Sequence, residues 1–205
     1  MDAKLDQRRD EITSKTKQVL GSWLLYAVLI AVSLFVMINV HEIGHTVFAR
    51  LFGDNHAFYA LYKLRPDGSL SCIGCNVYDE TKLSFLGNLF VTLGGIIFSQ
   101  TAAIALLRYG ETAKISQRSK RFLKVLATVC LFDVFFQVVQ GTMANTGQQV
   151  AFTRVDIADF IWLVANRVQI GSVVVKGTVL AMLAAYFWWI GIKWYGLSAK
   201  ITKQA

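Results

Sequence analysis

Four stretches of this chain, approximately residues 21–48, 84–107, 122–142 and 170–192, are apolar over the length of a membrane crossing. The hydrocarbon core of a bilayer is about 30 Å thick and takes roughly 20 helical residues to span. Within it every backbone N–H and C=O must be bonded inside the protein, so unbroken apolar runs of this length fold as helices. The chain is 55% hydrophobic, carries one proline, and confines its 17% of charged residues to a few segments. An ordinary soluble domain is excluded on these grounds. The expected fold is all-α, a polytopic transmembrane helix bundle of about four spans in a multi-pass integral membrane protein. One membrane-embedded domain covers 1–205, with a polar N-terminal tail over 1–18 and an extramembrane loop over 53–82. No small-residue cleavage site follows the first apolar run, which therefore reads as an uncleaved anchor. Lys176 falls inside the fourth stretch, where it must snorkel, face the bundle or lie close to an end.

Of the 21 Lys and Arg residues, five lie in the N-terminal tail and six in the 108–124 connection (Arg108, Lys114, Arg118, Lys120, Arg121, Lys124). Three more, Lys193, Lys200 and Lys203, lie near the C-terminal end. Placing both termini and the middle connection in the cytoplasm satisfies the positive-inside rule. The net charge of +8 is not organised as a basic stripe interleaved with aromatics, so the expected counter-charge is the lipid bilayer and no nucleic acid is expected as a partner.

The first span is interrupted by His41-Glu42-Ile43-Gly44-His45. In a helix, imidazoles at i and i+4 share one face and can hold a single zinc, while Glu42 stands beside them where it can deprotonate a water at the metal. HExxH has three fixed positions and does arise by chance. Inside an apolar helix the pattern is costly, at roughly 2.5 kcal/mol or more for each ionisable group at the bilayer centre, so the cluster marks a functional site.

The loop after this span contains Pro66-Asp67-Gly68 as a turn signal, between segments that alternate apolar and polar residues around Phe58 to Leu64 and Leu70 to Tyr78. A short β-hairpin or loop lying over the site is predicted. Its edge could take an extended peptide as an added strand, or the hairpin could simply cap the site. Cys72 and Cys75 lie in the same loop, while Cys130 falls in the third span. A lone CxxC cannot supply the four ligands of a structural zinc; an extracytoplasmic loop would make it a disulfide or a redox-sensitive pair, a cytoplasmic one two thiols. Gly87, Gly94, Gly95 and Ser99 give the second span the small residues that allow close helix approach, which fits packing against the HExxH helix. Asn88 and Gln100 are polar members of that span, with packing as their default role and a hydrogen bond to a substrate or a histidine as the alternative.

HEIGH on an apolar first span, a loop with β character and a glycine-rich second span together resemble the site-2 protease family of intramembrane zinc metalloproteases, over roughly residues 25–165. The resemblance implies zinc on His41 and His45, Glu42 as general base, and a later aspartate as third protein ligand. Beyond the first loop the chain lacks the Asn-x-x-Pro segment and Asp-Gly pair that commonly present that aspartate. Depth then ranks the candidates. Asp133 lies about 11 residues into the third span and His41 about 20 into the first, a mismatch of roughly 10 Å or more at ~1.5 Å per residue. Asp156 and Asp159 follow Thr153, a potential helix cap, on the side of the membrane where HExxH ends. Asp156 is the favoured ligand, ahead of Asp133 and Asp159.

Soluble zincin patterns fit less well. The third histidine of HExxHxxGxxH would fall at Leu51, His56 is too far along, and Glu80 sits in a loop context. Membrane diiron enzymes need more than three histidines. The expected activity is therefore zinc-dependent hydrolysis of peptide bonds in a membrane-embedded or membrane-proximal protein or peptide substrate. The alternative is a non-catalytic metal-binding membrane protein that acts as sensor or scaffold.

Overall fold

The computed structural model describes residues 2–143 and 156–203, with side chains placed for residues 16, 19–142 and 156–193. Five helices and one hairpin follow in order: α1 (Asp2–Leu51), β1 (Phe58–Leu64), β2 (Leu70–Val77), α2 (Phe85–Thr112), α3 (Gln117–Met143), α4 (Asp156–Val168) and α5 (Ser172–Lys203). Helical segments over Val19–Leu51, Phe85–Thr112, Gln117–Thr142 and Ser172–Lys193 are long and apolar enough to cross a membrane. They coincide with the four stretches expected from hydropathy, with each boundary within five residues of the expected one. The backbone of the polar N-terminal segment is helical from Asp2 and continuous with the first span.

Local chemistry sets where these elements stop and start. α1 closes in a Schellman-type turn, in which Asp54 N–H donates to Ala49 O at 2.9 Å and Gly53 N–H to Arg50 O at 3.4 Å. α2 starts at Ser84, whose Oγ accepts the Gly87 N–H at 3.1 Å and satisfies one of the helix's unpaired first-turn donors. The chain between them is tied by Asp54, which accepts from the backbone N–H of Asp79 at 2.7 Å and of His56 at 3.1 Å.

α1 and α2 run antiparallel at close range, because lipid tails are as apolar as leucine and membrane helices associate through backbone approach and polar contacts. A Cβ at Gly44 would overlap the carbonyl oxygen of Gly94, and one at Gly94 would come within 2.9 Å of the carbonyl oxygen of Gly44. α3 and α5 complete the bundle. One apolar cluster joins Met37, Leu107, Leu126 and Ile190 near the end that carries the 113–116 connection. A second joins Ile96, Val138, Ile157, Ile161 and Val175 at the other. Lys176 lies near that end and donates to Thr142 O at 3.1 Å, the in-bundle resolution of its charge.

α4, at about 20 Å, is too short to cross a bilayer. It buries Ile157 and Ile161 against α2, α3 and α5, and its Arg167 lies over the Phe85 ring, 5.5 Å from the centroid. The cap expected at Thr153 lies outside the described residues.

The hairpin pairs Phe58 with Val77 through Lys63 with Cys72, and shifts register between Lys63 and Leu64. Its turn is the expected one, with Asp67 Oδ1 accepting from the Ser69 N–H and hydroxyl. The hairpin packs on α1 and reaches its HExxH turn. Tyr59 OH donates to Asn39 Oδ1, and Gly74 rests against Ile38 and Glu42.

Candidate metal centre

The HExxH turn of α1 places its two imidazoles as the helical period requires, with ring centroids 4.9 Å apart. Both histidines are 4% exposed, on the face of α1 turned to α2 and α3. Gly95 makes room for them, since a Cβ there would overlap the ring of His41. At the first turn of α4, Asp156 reaches the same point, its Oδ2 lying 2.8 Å from His41 Nε2 and 3.2 Å from His45 Nε2. His41, His45 and Asp156 thus form a group able to hold a metal ion, with ligand atoms within 4.8 Å of one another.

The second nitrogen of each ring fixes which atoms are free to ligate. His45 Nδ1 lies 2.6 Å from the carbonyl oxygen of Val91, which can only accept, so a proton sits on Nδ1 and Nε2 is the nitrogen turned to Asp156. His41 Nδ1–H donates to Asp133 Oδ2 at 2.7 Å, and the same oxygen accepts the Ser99 hydroxyl at 2.5 Å. With both Nδ1–H groups committed, each Nε2 is the nitrogen turned to Asp156 Oδ2, where a ring proton donated to the carboxylate or a metal ion shared by the three atoms would satisfy it. Donors about 2.0–2.1 Å from a shared tetrahedral centre stand roughly 3.3 Å apart; the two oxygen–nitrogen distances here are 2.8 and 3.2 Å. The residues present therefore fit a metal held by three protein ligands, two imidazoles and one carboxylate.

Asp156, the favoured third ligand, is brought to the histidines, and Asp159 is not among the converging donors. Asp133 takes a different role from the one weighed for it: it does not join the trio but holds His41 from behind, as carboxylates commonly do for ligating histidines. The depth argument against its meeting His41 fails. Counting from the starts of the two spans assumed that these starts align, whereas the helices align at their other ends. His41 and Asp133 are each ten residues before the last residue of their helix, Leu51 and Met143.

Glu42 stands on the flank of α1 that faces the hairpin, where Asn76 Nδ2 donates to its Oε2. Sequence reasoning missed Asn76; the one available signal was a polar residue beside a buried cysteine in a predicted strand. Ser99 was read for packing only. Gln100 and Asn88 do not reach a histidine: Gln100 Nε2 donates to Cys130 O at 2.7 Å and its Oε1 accepts from Tyr186 OH at 2.6 Å, while Asn88 Nδ2 meets Glu80 O and Leu83 O. His56 and Glu80 stay outside the metal-holding group. Cys72 and Cys75 form a disulfide, and Cys130 is a buried free thiol.

No family model matches this chain, and no curated protein or solved structure matches it significantly.

Proposed function

We propose that the chain is an intramembrane zinc metalloprotease of the site-2 protease type, a multi-pass integral membrane protein that hydrolyses peptide bonds of membrane-embedded or membrane-proximal substrates. The observation that carries this reading is the convergence of His41 Nε2, His45 Nε2 and Asp156 Oδ2 next to an unligated carboxylate, Glu42. Two imidazoles and one carboxylate are a donor set of hydrolytic zinc sites, and a glutamate one residue after the first histidine is the base such sites use.

Zinc bound there supplies Lewis acidity, lowering the pKa of water towards neutrality and polarising a peptide carbonyl. Glu42 takes the proton of the attacking water and delivers it to the amine as the C–N bond breaks. Asn76 occupies Glu42 Oε2, which leaves Oε1 for that transfer and limits rotation of the carboxylate. Asp133 and the Val91 carbonyl keep His41 and His45 in the tautomer that ligates through Nε2. A helical amide is screened by its own hydrogen bonds, so a substrate helix has to unwind before its carbonyl reaches the site.

The test pairs metal analysis with cleavage of an internally quenched alanine–leucine helix, broken by a central Gly-Gly, in the same vesicles as the protein. Parent and Glu42→Gln should hold equal zinc, and the variant should cleave at least about 10²-fold more slowly. Protein that retains no zinc, or equal rates in parent and variant, would overturn the reading in favour of a non-catalytic sensor or scaffold.

A further inference from the structure

The Cys72–Cys75 disulfide closes within β2, its Cα atoms 6.1 Å apart. A regular strand rises about 3.3 Å per residue and would place these atoms roughly 10 Å apart, beyond the usual disulfide range of about 4.4–6.8 Å. The strand is shortened at Gly74, which adopts a φ of 61° in the left-handed region. That bend presses the backbone against the HExxH helix: a Cβ at Gly74 would lie 3.0 Å from Ile38 Cγ2 and 3.2 Å from Glu42 Cγ. Two residues later Asn76 donates to Glu42 Oε2. The bend and the hydrogen bond therefore act on one side chain, and the disulfide spans the bend.

We propose that Cys72 and Cys75 form a reversible dithiol–disulfide site that sets the position of Glu42 through Gly74 and Asn76. What Glu42 does rests on the proteolytic reading; the coupling to it does not. Cys75 is 5% exposed and Cys72 is only half-buried, so an external thiolate attacks Cys72 Sγ. The reductant is a dithiol, of the dithiothreitol or protein CxxC class. Its first sulfur bonds to Cys72 Sγ as the Cys72–Cys75 bond breaks, and Cys75 leaves as a thiolate and takes up a proton. Its second sulfur then displaces Cys72, which is protonated in turn. Two electrons and two protons have passed to the chain, and the reductant has become a disulfide. Cys130 is buried on α3 and takes no part.

Once the link is open, the 72–75 span is held at its shortened length only by its pairing with β1 and by the packing of Gly74. β2 is free to relax towards regular extension, with several ångströms of added length that move Asn76 along α1 and away from Glu42. Asn76 is thus a positioning residue, and the oxidised form is the one that holds the carboxylate in place.

The experiment uses the full chain in nanodiscs, equilibrated with oxidised or reduced dithiothreitol, and reads thiols, hydrogen exchange, zinc and cleavage of the quenched helix. After native-state reduction, maleimide should add to Cys72 and Cys75. Amides of residues 73–77 should exchange about tenfold faster in the reduced form, as local opening becomes easier. Turnover should fall about tenfold with KM and zinc content unchanged, the split expected when a group that acts in the transition state is displaced. Cys72→Ser/Cys75→Ser should behave as the reduced form in either buffer. Asn76→Ala should lose turnover with the disulfide intact, and Asn76→Gln should recover part of it. Identical exchange in the two redox states, or a response of the double serine variant to dithiothreitol, would overturn the proposal. Redox-dependent exchange without cleavage in either state would support the coupling and count against the protease; cleavage with no redox dependence of exchange or turnover would do the reverse.

Discussion

Asp133 accepts the Nδ1 proton of His41 at 2.7 Å across the interface of α1 and α3. The opposite nitrogen of the same ring meets Asp156 of α4, so one imidazole joins three helices at the candidate metal centre. The two aspartates act on opposite sides of the ring, and their substitutions should therefore fail differently.

Asp156→Asn removes a ligating carboxylate and should abolish zinc retention at micromolar free zinc, together with cleavage, while leaving the bundle folded. Asp133→Ala removes only the support behind His41 and should weaken zinc affinity about 10–100-fold, the usual cost of losing such a partner. Asp133→Asn keeps an acceptor for the Nδ1 proton and should fall between Asp133→Ala and the parent. Chelator-competition titration of the three variants checks the order; equal affinity in Asp133→Ala and parent would remove Asp133 from the site.

Gly95 faces the ring of His41, whereas Gly177 has nothing within 4 Å of an added Cβ. Alanine at a helical glycine ordinarily helps by up to about 1 kcal/mol, so Gly177→Ala should be neutral or slightly stabilising. Gly95→Ala should instead destabilise by about 1–3 kcal/mol through overpacking and should lose zinc. Thermal unfolding in detergent with parallel metal analysis gives both signs, and a stabilised, zinc-loaded Gly95→Ala would show that α2 does not approach His41 so closely.

Asp54 sits beyond the end of α1 and ties that end to the start of α2. The Asp79 N–H, then the His56 N–H and the Lys82 ammonium, hold its carboxyl below the usual carboxylate range against the opposing effect of burial. A depressed folded-state pKa stabilises fully above the unfolded value of about 4, and that stability is lost as pH falls through the folded value. Asp54→Asn should therefore be less stable than the parent at pH 7, and the gap should close as the pH drops below about 4. Hydrogen exchange at the Asp79 and His56 amides, followed from pH 7 to pH 3 and corrected for intrinsic rates, checks this. A gap that stays constant across that range would detach Asp54 from the effect.

Charge asymmetry is the ground for expecting the 113–116 connection in the cytoplasm and the hairpin on the other side. Single cysteines at Ser119 and Ser71 should label with impermeant maleimide from opposite faces of oriented vesicles. The native cysteines give little background, being disulfide-linked or buried. Labelling from one face would overturn the orientation, though not the packing.

The architecture was legible in the sequence because a bilayer permits so few solutions. Apolar runs of sufficient length have to be helices, and the four stretches appear as α1, α2, α3 and α5. The HExxH pair was equally legible, since i, i+4 proximity is a property of the helix and needs no tertiary contact. The hairpin followed from alternation and from the chemistry of Pro66-Asp67-Gly68, both local signals.

Everything that joins distant segments was decided by packing. Hydropathy locates a span but not its vertical offset from its neighbours, and that offset determines whether Asp133 meets His41. The offset of α1 from α2 is set where Gly44 and Gly94 come to backbone contact and where Gly95 admits the His41 ring, and α3 is tied to both through Asp133, which accepts from His41 Nδ1 and the Ser99 hydroxyl. Where along α1 the hairpin docks was likewise beyond strand alternation, because that depended on a left-handed Gly74 seated on Ile38 and Glu42. Periodicity reports which residues share a face of one element; which element that face meets, and at what height, is settled only when small residues, buried carboxylates and ring nitrogens find partners in three dimensions.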